Sequence, residues 1–185
     1  MRIFKQPSET FGAYDPAAPR VLPDISTPAR ATAVRIEDEI RHDLLETGVF
    51  VAQDGRILLR KQGAPDRVGF TVRELLRMKG ASFTHNHPGG GSFSPHDLAR
   101  AGEAALVELR AVTPIFRHFV LNLPAMSEAY WQQTFEREQQ KMAVKLRDAV
   151  RTGALHPGDF GREAQHLAWV GIATKMGFIY RRIKS

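Results

Sequence analysis

Residues 84–97 read THNHPGGGSFSPHD: two histidines one residue apart, a glycine-rich turn, then a serine and an aspartate three apart. With the two preceding residues the segment SFTHNH reads as a strand, and on a strand residues i and i+2 point to the same side. His85 and His87 would then present both imidazoles to one point while Asn86 faces the other way. Pro88 and three consecutive glycines let the backbone turn sharply and approach closely. Ser94-Pro95 opens a helix that carries Asp97 in its first turn. Strand, tight turn and helix in this order predict an α/β or α+β domain, a sheet with helices packed on it.

The flanking sequence supplies the other elements. From Thr27, an N-cap with Pro28 at the first helical position, the stretch ARATAVRIEDEIRHDLLE places Ile36, Ile40 and Leu44 four apart on one helical face. GVFVAQ and RILLRKQG flank Asp54-Gly55, which favours a type I′ hairpin turn between two antiparallel strands over 48–63. Thr71 and Glu74 form a capping box for a helix, TVRELLRMK, that Gly80 ends. The helix opened by Ser94 shows Leu98, Ala101, Gly102, Ala105 and Leu109 on one face. A strand, HFVLNL, follows the turn at Thr113-Pro114, and Ser127 caps a long helix to about Thr152, ended by Gly153. REAQHLAWVGIATKM reads as a last helix, with Trp131 and Trp169 as core anchors of the terminal helices, and FIYRRI as a final strand. Residues 1–28, with five prolines and no apolar period, read as an extended arm; 29–125 form the core and 126–185 a helical C-terminal extension packed on it.

Hydrophobic residues make up 43% and charged residues 25% of the 185, the composition of a folded globular chain. No apolar run approaches the ~18 residues needed to span a bilayer, and the N-terminus lacks the apolar core of a secretory signal. A soluble, cytoplasmic protein without a membrane partner is expected. There is no cysteine, so any bound metal must use His, Asp or Glu, which points to a catalytic metal and away from a structural thiolate cage. The formal charge of +6 admits nucleic acid as a secondary partner, and Lys175, Arg181, Arg182 and Lys184 place part of that charge in a terminal tail.

Two imidazoles and one carboxylate plus a water make a tetrahedral zinc site with an open position. His85, His87 and Asp97 are the candidate ligands, and Glu46, before a strand in LLETGVFV, is the nearest acid placed to act as base. Ser94-Pro95-His96-Asp97 has a competing reading as an ordinary S-x-x-D helix start, the serine capping and the aspartate favoured by the helix dipole; Ser94 can serve both roles. Of the remaining histidines, His42, His96 and His156 read as solvated, and His118 and His166 as packed or hydrogen-bonded at the edge of the core.

THNHPGGGSFSPHDLARA, with Glu46 upstream in ETGVFV, resembles the JAMM/MPN+ zinc metalloprotease family, particularly its bacterial and phage-type members and the RadC-like branch. The resemblance spans roughly residues 30–125 and implies a mixed sheet flanked by helices. It also implies a Zn2+ cofactor held by His85, His87 and Asp97, with Glu46 as general acid/base and Ser94 steadying the oxyanion. Nine residues lie between His87 and Asp97, one fewer than the family's usual spacing, which leaves Ser92 as a second candidate for the serine role. Glu39 and Glu37 are the fallbacks for Glu46. The implied activity is hydrolysis of a peptide or isopeptide bond in a protein or peptide substrate, a ubiquitin-like modifier among them. The implied settings include delivery into a target cell and association with a phage. A RadC-like nucleic-acid-associated protein and an interaction module with an inert metal site are the alternatives. An amidohydrolase, whose first strand also carries His-x-His, is too large, its barrel needing about 250 residues.

Overall fold

The computed structural model describes residues 20–184, so most of the proline-rich arm lies outside the described residues. The chain folds as α+β, in the order α1 (Pro28–Ile40), β1 (Thr47–Val51), β2 (Ile57–Gln62), α2 (Val72–Leu76), β3 (Ser82–Asn86), α3 (Pro95–Glu103), β4 (Glu108–Val112), β5 (Phe116–Leu121), α4 (Glu128–Arg151), α5 (Phe160–Met176) and β6 (Ile179–Lys184). The strands form one sheet in the order β2-β1-β3-β4-β5-β6. Every pairing is antiparallel except β3 with β4, where α3 makes the crossover that a parallel pair requires. No helix among the described residues is long and apolar enough to cross a membrane.

Strand alternation sorts the residues onto two faces. Val49, Val51 and Val112 pack under α1 with Ala29, Ile36 and Ile40. Phe50, Phe83, Leu109, Ala111 and Val120 face the other way, into the larger core built with α3, α4 and α5. There Trp131 and Trp169 meet edge-on at 6.0 Å, and Phe135 stacks on Trp169 at 4.7 Å. Between α1 and the sheet, fully buried Glu37 accepts from Arg110, Arg117 and Thr84, so its charge is both paired and hydrogen-bonded.

Several boundaries differ from the sequence expectation, each for a physical reason. α1 stops at Ile40, and Leu44 is 81% exposed; no glycine or proline marks that end, so the four-residue spacing runs past it. The hairpin closes through Gly55 N–H to Ala52 O and Ala52 N–H to Arg56 O. Gly55 has φ 88° while Asp54 is not in the positive-φ region, so the turn is a three-residue loop with a left-handed glycine and not a type I′ turn. α2 is a short helix, with the expected capping box between Thr71 and Glu74. Leu109 lies on β4, not on the helix after Ser94. α3 ends in a Schellman motif, Leu106 N–H bonding Ala101 O and Ala105 N–H bonding Gly102 O, with Ala105 at φ 47° where a glycine would have announced the stop.

Residues 126–185 contribute α4, α5 and the edge strand β6, whose Tyr180 pairs with Val120. The basic run is therefore no tail. Arg182 is buried against Glu163 at 2.8 Å, and Lys175 bonds Glu138 at 2.7 Å.

Candidate metal centre

β3 carries His85 on the face of the large core, 1% exposed, with its ring stacked on Phe83 at 5.1 Å. His87 follows one residue past the strand, its N–H bonded to Val112 O of β4, so the i, i+2 relation persists. The two imidazoles stand edge to face at 4.5 Å. On the neighbouring strand Gly48 pairs with His85, and Glu46 shares the parity of Gly48 and Phe50, which puts its carboxylate on the histidine face. Asp97 arrives from the third element. Ser94 caps α3, its hydroxyl accepting from Asp97 N–H, while Asp97 Oδ2 accepts from Ser94 N–H at 2.7 Å and Ser94 O–H at 2.8 Å. The helix-start reading of this segment holds as a full capping box, and that cap turns the Asp97 carboxylate toward the histidines.

His87 Nε2 lies 3.3 Å from Glu46 Oε1 and 3.7 Å from Asp97 Oδ2. His85 Nε2 lies 4.0 Å from Glu46 Oε1 and 3.8 Å from Asp97 Oδ1. Glu46, His85 and His87 form the tighter group, with one donor atom from each within 4.8 Å of the others, and could hold a metal ion. Donor atoms about 2.0–2.1 Å from a tetrahedral zinc stand about 3.4 Å apart, close to these separations. Two further features suit a cation. Neither ring nitrogen of buried His85 has a hydrogen-bond partner, and ligation through Nε2 would satisfy one of the two. His87 Nδ1 lies 3.1 Å from Gly91 O; donation to that carbonyl leaves the Nε2 lone pair facing the carboxylates.

The electrostatics agree. Burial works against a charged His87, but hydrogen bonding to Glu46 and the charges of Asp97 and Glu46 outweigh it and raise its pKa. Burial likewise opposes ionised Asp97, and contact with His85, the positive side of both imidazoles and the Ser94 amide outweigh it, holding the carboxyl well below the usual range. The cluster attracts positive charge, and a proton and a metal would compete for it.

Three residues support the site in ways the sequence did not indicate, although Asn86 was expected to face away from the histidines and Trp169 to anchor the core. Asn86, on the opposite face of β3, brackets Glu46: its Oδ1 accepts from Thr47 N–H at 2.6 Å, and its Nδ2 donates to Leu45 O at 3.1 Å and Asp43 O at 3.2 Å. Gln165 of α5 accepts from Ser92 N–H and donates to the carbonyls of Ser92 and Phe93. Trp169 Nε1–H donates to Phe93 O at 2.8 Å. α5 thus clamps the glycine turn, and a Cβ on Gly91, 2.8 Å from Gln165 Oε1, would push the Gln165 amide out of these bonds. No spacing rule links residue 92 to residue 165.

The other candidates fall elsewhere. Ser92 Oγ bonds Tyr180 Oη inside the core, leaving Ser94 as the serine at the cleft. Glu39 pairs with Arg60, and Glu37 belongs to the buried network under α1, so neither fallback reaches the histidines. His96 is exposed and bonds Glu128; His42 and His156 are exposed. His118 and His166 are buried, each with Nδ1 bonded to Tyr180 Oη. Comparison of the chain with protein-family models, with curated proteins and with solved structures finds no match.

Proposed function

We propose that the protein is a zinc-dependent hydrolase of peptide or isopeptide bonds of the JAMM type. The observation that carries this reading is the convergence of two imidazoles and two carboxylates from three separate elements, with facing nitrogen and oxygen atoms 3.3 to 4.0 Å apart beside an open cleft.

In this scheme His85 and His87 offer Nε2 and Asp97 offers a carboxylate oxygen, with Asp97 oriented by the Ser94 cap. Zinc, when bound, supplies Lewis acidity and makes a water acidic enough to lose its proton near pH 7. Glu46 takes the proton from the attacking water and returns it to the departing amine; it borders the cleft and is held in place through the backbone on both sides. Ser94 O–H, which now donates to Asp97 Oδ2, must turn into the cleft to stabilise a developing oxyanion, leaving the Ser94 amide to hold Asp97.

The test is zinc per chain and hydrolysis of peptide and isopeptide substrates in the parent, His87→Ala and Glu46→Gln. About one zinc in the parent, lost in His87→Ala, with zinc kept but turnover lost in Glu46→Gln, is expected. No zinc in the folded parent after reconstitution, or full turnover in Glu46→Gln, would sink the reading.

A further inference from the structure

Two recesses meet at the cluster and share Glu46, Asp66, Ser94 and Asp97 in their walls. One, of about 350 Å3, is lined by Pro65, Pro88, Gly89 and Gly91 and contains no large side chain other than those of the cluster. The other, of about 420 Å3, is more enclosed and mostly apolar, lined by Phe50, Val68, Phe70, Leu75, Phe83 and Leu106 together with the exposed Asp66, Arg67 and Arg100. Its volume falls in the range of ligand pockets, roughly 300–1,000 Å3. Phe50, Phe70 and Phe83 meet one another at ring-centroid distances of 4.5 to 5.5 Å, with Phe70 edge-on to both others. Gly48 makes this wall possible: a Cβ there would come within 2.8 Å of Phe83 Cζ and 2.9 Å of Val68 Cγ1.

Resting on the hydrolase reading above, we propose that this pocket selects the substrate. It takes a large apolar side chain, aromatic by preference, from an extended peptide, and the glycine- and proline-lined recess takes the segment on the other side of the cleaved bond. His85, Glu46 and Asp97 form part of the pocket wall, so a side chain seated there brings its own backbone amide to the cluster. The half-buried Phe70 ring, backed by the buried Phe50 and Phe83, gives the pocket an aromatic wall against which an incoming ring can pack. A glycine-ended modifier tail would leave the pocket unfilled. The substrate class is therefore a peptide or unfolded protein segment bearing Phe, Tyr or Leu beside the cleaved bond.

The test uses the full chain as Glu46→Gln, which binds without turning over. Blocked alanine-based peptides carrying Phe, Leu, Ala or Gly at one position are titrated by calorimetry, and zinc is measured on the same samples. The Phe peptide should bind about tenfold to a hundredfold tighter than the Ala peptide. Ala101→Phe, which projects into the pocket from α3, should remove that preference. Should Ala101→Phe fail to fold, Phe70→Ala, at a half-buried loop position, should weaken it instead. Equal binding of Phe and Ala peptides, or tightest binding of the Gly peptide, in a folded zinc-bearing protein overturns the pocket assignment and leaves the metal reading standing. A Phe preference in a protein that binds no zinc supports the pocket and overturns the hydrolase reading.

Discussion

Truncating Asn86 to alanine tests whether the Glu46 segment is held from the opposite face of the sheet. Asn86 is fully buried and Thr47 is 2% exposed, so the Thr47 N–H would lose its acceptor without gaining water. An orphaned buried donor costs about 1–3 kcal/mol. The carbonyls of Asp43 and Leu45 lie on a partly exposed turn and can rotate toward solvent, so their lost bonds cost roughly 0.5 kcal/mol each. The expected destabilisation is about 2–4 kcal/mol, a fall in Tm of about 5–15 °C for a chain of this size. Urea unfolding should show this as a lower midpoint with an unchanged m-value. Zinc binding, which the proposed scheme assigns to His85, His87 and Asp97, should persist, while turnover should fall by around 100-fold because a base displaced by about 1 Å no longer meets the proton it must accept. A loss below about 1 kcal/mol together with unchanged turnover would refute the reasoning: the Glu46 segment would then be held by its other contacts, Glu46 N–H to Ala64 O and Gly63 N–H to Glu46 O.

Asp97→Asn should lower zinc affinity well below that of Glu46→Gln, as metal titration with a competing chelator would show; equal losses would make Glu46 a ligand, as its closeness to both histidines allows. Ala105→Gly should stabilise the protein by about 0.5–1 kcal/mol in urea unfolding, because a left-handed residue with a Cβ pays about 1–2 kcal/mol and glycine's extra unfolded-state entropy returns part of it. His118 and His166 are held neutral, their pKa values pushed far down by burial and then by the Arg182 charge. The unfolded chain takes up their protons as pH falls below about 6.5 and the folded chain does not, so stability drops by up to about 1.4 kcal/mol per pH unit for each histidine. Urea midpoints from pH 7 to pH 5 should fall more steeply in the parent than in His166→Gln.

Features written in short-range chemistry are legible along the chain. Period-two alternation along β3 and one residue beyond it puts His85 and His87 on one side. The pairs Thr71/Glu74 and Ser94/Asp97 specify two helix starts, and Thr27-Pro28 and Ser127 two more. Each depends on residues within about four positions of one another, whose geometry the local backbone sets. Where an end lacks its usual residue the sequence is silent: Ala105 in place of glycine hides both the stop of α3 and the strand β4 behind it. The basic residues near the C-terminus look like a tail because the acidic partners of Lys175 and Arg182, Glu138 and Glu163, lie far back in the chain on α4 and α5.

By itself, then, the sequence determined most of the elements, the pairing of the two histidines and the capped placement of Asp97, since these follow from neighbours along the chain. Only the tertiary structure decided that Glu46 and not Glu39 or Glu37 meets the histidines, that Asn86, Gln165 and Trp169 brace the site from two sides, and that three phenylalanines wall a pocket beside it. Those contacts join residues far apart in the chain and exist only once sheet register and helix packing have been chosen together.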